Sequence, residues 1–82
     1  MGRREILEQV LSFLSGRFKE GGTEIVETTA FGDTIILDSL ATLEIVMFLE
    51  EEFGLNLERA DLDSLTTPGG ITDLILRKQQ NG

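Results

Sequence analysis

The tetrapeptide Leu-Asp-Ser-Leu occurs twice in this chain, and each copy offers a serine hydroxyl that could be covalently modified. The first copy spans residues 37–40 and the second spans residues 62–65. A hydroxyl in the first turn of a helix lies near backbone amides whose partial positive charge favours a phosphate group. On the dipeptide alone, however, the simpler interpretation of Asp38 and Ser39 is that they cap a helix.

The residues that are missing restrict the chemistry of the chain. Its 82 residues include no His, Cys, Trp or Tyr. General acid–base and nucleophilic catalysis depend largely on His and Cys, so we expect a protein that binds, carries or signals and is not an enzyme. Without cysteine, disulfides and thiolate metal sites are excluded. The length indicates a single domain over residues 1–82.

The negative charge of the chain is unevenly distributed. The net charge is −8, and the stretch from Glu20 to Glu58 contains ten acidic residues with no Lys or Arg. Such a field repels nucleic acid and anionic lipid and attracts basic patches on protein partners. The plainer alternative is a solvated acidic surface that only favours solubility. No apolar run is long enough to span a bilayer and no secretory signal is evident, so we expect a cytoplasmic protein.

Apolar periodicity predicts an all-α fold with three main helices, one short helix and a long first loop. The helices are predicted over residues 3–19, 39–53 and 58–64, with the last beginning at Thr67-Pro68. Gly21-Gly22 is expected to stop the first helix and Gly54 the second. The first helix is expected to bury Leu7, Val10, Leu11, Leu14 and Phe18, with Ile6 and Phe13 widening the stripe.

Other apolar residues predict how the remaining segments pack. In the second helix, two apolar groups predict a core face (Ile45, Val46, Leu49 and Phe53) and a separate stripe (Leu40, Leu43 and Met47). A helix with two apolar sides is either deeply buried or presents a surface to a partner. Leu62 and Leu65 are expected to face inward. The loop residues expected to pack on the core are Ile25, Val26, Phe31, Ile35 and Ile36.

The segment from Asp38 to Gly54 closely resembles the acyl carrier protein family. The resemblance covers Asp-Ser-Leu at the start of the second helix, the apolar stripe after it, the acidic residues and the closing Phe53. It implies a small bundle of three main helices and a short one. It also implies that Ser39 carries a covalent 4′-phosphopantetheine derived from coenzyme A, with Asp38 and Leu40 beside it, and that acyl or aminoacyl intermediates are held there as thioesters.

The resemblance also implies the partners of the chain. These are a phosphopantetheinyl transferase, together with loading and synthase enzymes that dock through basic patches. The residues that would contact them are Leu43, Glu44, Met47, Glu50 and Glu51. We expect a monomer that neither binds nucleic acid nor inserts into a membrane, acting in fatty-acid, polyketide or related specialised biosynthesis.

Some positions depart from the family pattern and leave the cargo open. Leu37 stands where Gly or Ala is often found, Ala41 where an acidic residue often follows the motif, and Arg59 where an acidic residue is common. These departures weaken the case for a generic fatty-acid-synthesis carrier. Residues Leu37–Thr42, Phe53-Gly54 and Thr67-Pro68 resemble carriers of amino acids, such as D-alanyl carrier proteins, and a dedicated carrier of a specialised pathway is equally open. A different class of function is an unmodified acidic helical interaction module. A calcium-binding domain is disfavoured, because no segment has the ligand spacing of a calcium loop.

Overall fold

The computed structural model describes residues 2–18, 24–32 and 38–81. Its elements are α1 (Arg3–Arg17), α2 (Ser39–Phe53), a 3₁₀ helix (Arg59–Ser64) and α3 (Pro68–Asn81). The prediction of three main helices plus a short one, with a long first loop, is confirmed. The helix α1 ends at Arg17, and the predicted stop at Gly21-Gly22 lies outside the described residues.

The core is built where α1 and α3 pack together and α2 closes over them. On α1, Ile6, Val10 and Leu14 are fully buried at intervals of four residues. The centre of the buried stripe therefore differs from the prediction, because Leu7, Leu11 and Phe18 are only half-buried at its edges. The other helices contribute Ile45, Leu49, Ile71, Leu74 and Ile75.

The helix α2 begins and ends where the sequence predicts. The Asp38 carboxylate accepts a hydrogen bond from the Ala41 backbone N–H at 2.8 Å, which satisfies one of the free amides of the first turn. Gly54 follows the helix with φ 64° and ψ 30°, a left-handed conformation that glycine adopts without a steric penalty. These two residues fix the register of α2, and therefore which of its residues face the core.

The described part of the first loop packs against α3 and the segment before it. Ile25 is buried and Phe31 packs on the core, as predicted, and the Phe31 N–H donates to the Thr66 carbonyl at 2.9 Å. The prediction for Val26 is wrong. It is 43% exposed because it begins a surface turn in which its N–H donates to Thr29 Oγ1. Ile35 and Ile36 lie outside the described residues.

Two glycines in the first turn of α3 allow neighbouring segments to approach closely. Thr67 Oγ1 accepts from the Gly70 N–H at 2.9 Å, which confirms Thr67 as the N-cap. A Cβ at Gly69 would lie 2.9 Å from Glu27 Cγ, and a Cβ at Gly70 would lie 2.8 Å from the Ser64 carbonyl oxygen. The glycines therefore weaken the helix intrinsically but let the loop and the 3₁₀ helix pack on its N-terminus.

The prediction that Leu62 faces inward is also wrong, whereas Leu65 is 5% exposed and belongs to the core. The 3₁₀ helix ends at Ser64, and Leu65 has φ −84° and ψ 61°. The backbone changes direction there, so the two leucines do not share a face. Leu62 is 36% exposed and lies beside α2.

Candidate modification site at the start of the second helix

Ser39 is the first residue of α2, and its side chain is exposed. Asp38 caps the helix, so the serine hydroxyl is not needed for that purpose. Within residues 2–18, 24–32 and 38–81, that hydroxyl makes no hydrogen bond. The capping interpretation is therefore correct for Asp38, while Ser39 presents a hydroxyl to solvent beside the free amides of a helix N-terminus.

Ser64, the corresponding serine of the second copy, is in a different position. It is half-buried at the last residue of the 3₁₀ helix, and its Oγ accepts a hydrogen bond from Arg77 Nη2 at 3.3 Å. Its carbonyl oxygen also lies against Gly70. The second copy is therefore packed against α3, and a bulky group on Ser64 would disturb that contact.

An open groove of about 550 Å³ runs between α2 and the 3₁₀ helix, with Ser39 at its edge. Its walls include the apolar side chains of Leu43, Val46, Leu57 and Leu62. A phosphodiester on an exposed hydroxyl and a flexible arm with apolar segments both match this arrangement. The residues that line this groove thus fit a phosphopantetheine group, with room for its arm beside the Ser39 hydroxyl.

The separate apolar stripe predicted on α2 is exposed. Leu40, Leu43 and Met47 have 62%, 54% and 48% of their surface accessible, and they lie on the same helix as Ser39. Large apolar side chains grouped in this way form a patch of the kind that contacts partners. The core face of the same helix is confirmed for Ile45 and Leu49, whereas Val46 and Phe53 are half-buried beside the core.

The three acidic residues predicted for docking differ in whether their carboxylates have partners among the described residues. Glu44 forms an ion pair with Arg17 of α1, and this hydrogen bond raises the pKa of the Arg17 guanidinium. Glu50 Oε2 accepts from the Leu57 N–H at 3.3 Å and so holds the segment after α2. Glu51 is exposed and makes no hydrogen bond or ion pair with other described residues. Of the three, Glu51 has its carboxylate free.

Three residues near the site have positions that the sequence did not predict. Leu62 lines the groove beside Ser39, Arg59 lies in the same groove, and Glu52 is exposed next to Glu51. The signal for Arg59 was available, since it is the single basic residue between Lys19 and Arg77. Nothing in the sequence pattern distinguishes the exposed Leu62 from the buried Leu65.

Neither a membrane-spanning helix nor a metal-binding cluster is present within residues 2–18, 24–32 and 38–81. No helix in these ranges combines the length and the apolar character needed to cross a membrane. The same ranges contain no group of three or more carboxylates arranged to hold a metal ion.

Comparison with known proteins gives one consistent result. Residues 8–75 match the family described as "Phosphopantetheine attachment site". An acyl carrier protein from Thermotoga maritima is 33% identical over 93% of this chain and 94% of its own length. One from Thermosynechococcus vestitus is 31% identical over 95% of this chain and 96% of its own length.

A solved structure supports the fold independently. The crystal structure of an acyl carrier protein from Thermotoga maritima superimposes with a TM-score of 0.71, at 19% identity, over 96% of this chain and 92% of that one. The family match and the similar proteins confirm the resemblance seen in the sequence. This chain belongs to the acyl carrier protein family, whose members carry a covalently attached 4′-phosphopantetheine group.

Proposed function

We propose that Ser39 is the residue that carries the 4′-phosphopantetheine. On this arm the chain tethers acyl or aminoacyl intermediates as thioesters and presents them to enzymes of fatty-acid, polyketide or related specialised biosynthesis in the cytoplasm. The observation that carries the assignment is the contrast between the two serines. Ser39 has an exposed hydroxyl at a helix N-terminus that makes no hydrogen bond within the described part of the chain, whereas Ser64 is half-buried and accepts from Arg77.

In this proposal the chain's own residues provide attachment and position. To carry the group, Ser39 Oγ would lose its proton and bond to the phosphorus next to the pantetheine of coenzyme A, while the pyrophosphate bond breaks and adenosine 3′,5′-bisphosphate leaves. Asp38 holds the first turn of α2 through Ala41, and the free backbone amides of that turn would attract a phosphate attached there. The attached group supplies the terminal thiol that a chain without cysteine cannot supply. The chain is therefore a carrier, and catalysis belongs to its partners.

The docking surface in this proposal is the exposed face of α2. Leu40, Leu43 and Met47 provide the apolar part, and Glu51 provides a free carboxylate for a basic patch on a partner. Glu44 and Glu50 belong to the same surface, but each has a partner inside the chain. A partner that used Glu44 would compete with Arg17, so Glu51 is the stronger contact.

The test is covalent loading followed by intact mass. Purified wild type, Ser39→Ala and Ser64→Ala are incubated with coenzyme A and a broad-specificity phosphopantetheinyl transferase. One phosphopantetheine should be added to wild type and to Ser64→Ala, and none to Ser39→Ala. Ser64→Ala is the matched control, because it removes the same hydroxyl from the second copy of the tetrapeptide.

The opposite results have distinct meanings. Loading of Ser39→Ala with none on Ser64→Ala would move the site to the second copy. No addition to a wild type that is folded by circular dichroism would favour the unmodified acidic interaction module, for which the exposed stripe of α2 is the supporting observation.

A further inference from the structure

Arg59 differs from the other described basic residues, because it has no partner in the part of the chain that the structure describes. Within residues 2–18, 24–32 and 38–81 its guanidinium forms neither a hydrogen bond nor an ion pair. The other described basic side chains all have acidic or hydroxyl partners, namely Arg3, Arg4, Arg17, Arg77 and Lys78. In a chain with 15 acidic residues and 7 basic ones, an unpaired guanidinium is an unexpected feature.

This unpaired guanidinium belongs to a residue that lines the same groove as Ser39. Two carboxylate residues, Asp38 and Glu58, also line the groove, yet no ion pair joins either of them to Arg59. The Asp38 carboxylate is held by the Ala41 N–H. Among the described residues, the groove therefore contains one cation without an internal partner, beside the hydroxyl to which we assign the covalent group.

We propose that Arg59 is a binding residue for an oxyanion on the arm tethered at Ser39. This inference rests on the proposed function. The oxyanion is either the phosphodiester of the arm or a carboxylate at the end of its cargo, since a planar guanidinium binds both through paired N–H donors. Tethering makes the contact intramolecular, so it can form even with a group whose free form would bind weakly.

The rest of the groove suits the remainder of such a ligand. Leu43, Val46, Leu57 and Leu62 line its walls, so the aliphatic part of an arm or cargo can pack there. Packing of an arm against these walls excludes water from the region around the guanidinium, which strengthens its attraction for an anion. Arg59 would also offset the repulsion that the acidic chain exerts on an anionic group.

The experiment compares three loaded forms of the full chain with the unloaded form. Wild type, Arg59→Gln and Arg4→Gln are loaded from coenzyme A, acetyl-coenzyme A or malonyl-coenzyme A, and loading is verified by intact mass. Arg4→Gln is the control, because it removes the same charge from an exposed residue of α1 that lies outside the groove. The readouts are the Tm and the Arg59 side-chain N–H signal in a nitrogen–proton spectrum.

We expect wild type and Arg4→Gln to gain a few degrees in Tm on loading and Arg59→Gln to gain less. In wild type, the Arg59 signal should shift when the arm is attached. An equal deficit of Arg59→Gln in all three loaded forms identifies the phosphodiester as the ligand. A deficit confined to the malonyl form identifies the cargo carboxylate. In the unloaded form, Arg59→Gln should behave like Arg4→Gln.

The inference is overturned if all loaded forms of Arg59→Gln match those of Arg4→Gln and the Arg59 signal does not move. That failure differs from failure of the proposed function, because intact mass would still show one group on Ser39. If mass showed no loading at Ser39 of wild type, the proposed function would fail and this inference would fail with it.

Discussion

The two Leu-Asp-Ser-Leu copies have the same composition and opposite environments. In the first copy Ser39 is exposed and Leu40 is 62% exposed, while in the second copy Ser64 is half-buried and Leu65 is 5% exposed. Each serine follows an aspartate and precedes a leucine, so the tetrapeptide alone does not decide which hydroxyl is accessible. The position of the tetrapeptide relative to a helix determines whether its serine is accessible.

The difference arises because the first copy lies at the start of a helix, α2, whereas the second copy lies at the end of one, the 3₁₀ helix. At the start of α2, the aspartate caps and the next two side chains lie on the outer surface of the first turn. At the end of the 3₁₀ helix, the backbone turns at Leu65 and drives that leucine into the core. A pattern search that ignores helix termini would not separate them.

The largest expected effect on stability comes from the leucine that follows the serine in each copy, Leu40 in the first and Leu65 in the second. Leu65→Ala should lower the free energy of unfolding by about 2–5 kcal/mol, because it leaves a cavity in the core. The matched change Leu40→Ala should alter it by at most about 0.5 kcal/mol, because that side chain is already exposed. Urea unfolding measures both. Equal losses in the two variants would contradict the assignment of one copy to the core and the other to the surface.

The next effect concerns the packing of Ser64 on α3. In Gly70→Ala the new Cβ would meet the Ser64 carbonyl oxygen at 2.8 Å, so we expect a loss of about 1–3 kcal/mol despite the better helix propensity of alanine. Gly16→Ala is the control, because nothing lies within 4 Å of that position in α1. It should stabilise the chain by up to about 1 kcal/mol.

The two glycine variants are compared by urea unfolding of the unloaded chain. If Gly70→Ala were as stable as Gly16→Ala, the 3₁₀ helix would not be packed tightly on the first turn of α3. The second copy would then be held against α3 by the Arg77 hydrogen bond to Ser64 and the Lys78 ion pair with Asp61, and not by close backbone packing.

Much of the fold follows from local signals in the sequence. Asp38, Gly54 and Thr67-Pro68 are capping residues, and they placed the bounds of α2 and the start of α3 correctly. A long amphipathic pattern follows the first Leu-Asp-Ser-Leu copy and not the second, and this difference separates Ser39 from Ser64 in the sequence. Such signals act within a few residues, so they can be recognised without tertiary structure.

The errors concern features that apolar periodicity does not describe, namely turns and contacts between elements. The exposure of Val26 and Leu62 depends on a turn and on a change of backbone direction, and apolar periodicity carries neither. The Arg17 pair with Glu44 joins α1 to α2, and sequence spacing cannot reveal it. That Arg59 has no partner among the described residues is likewise a property of the folded chain, although its isolation among acidic residues is visible in the sequence.

A smaller effect is expected at the two aspartates of the motif. Asp38→Ala should cost about 1 kcal/mol, because the Ala41 N–H loses its acceptor. Asp63→Ala should change stability little, since Asp63 is exposed and has no hydrogen bond or ion pair with the described residues. Asp38→Asn should restore most of the loss, because asparagine also caps helices. Urea unfolding of the three variants tests this, and an uncompensated loss in Asp38→Asn would indicate that charge, not capping, is what matters.

The smallest expected effect is a dependence of the folding stability on pH, caused by Asp61 next to the second copy. Asp61 Oδ2 accepts from Lys78 Nζ at 2.7 Å and from the Glu58 N–H at 2.8 Å. The hydrogen bond from Lys78 is the main reason that the pKa of Asp61 lies below its ordinary value of 3.8. A carboxylate whose pKa is lowered in the folded state contributes stability above the unfolded pKa and loses it as pH falls through the folded pKa. This contribution is therefore complete near neutral pH and disappears below about pH 3.8.

The charge at Asp61 can be separated from the rest of the acidic surface by a matched pair of variants. Asp61→Asn should lower the Tm at pH 7 more than Asp63→Asn, which removes the same charge two residues away without breaking an ion pair. The gap between the two variants should narrow as the pH is lowered below 3.8, because wild-type Asp61 is then itself being protonated. If the difference in Tm between the two variants stayed constant from pH 7 to strongly acidic pH, Asp61 would act through hydrogen bonds that do not depend on its charge. In that case its ion pair with Lys78 would not be what fastens the 3₁₀ helix, and with it Ser64, to α3.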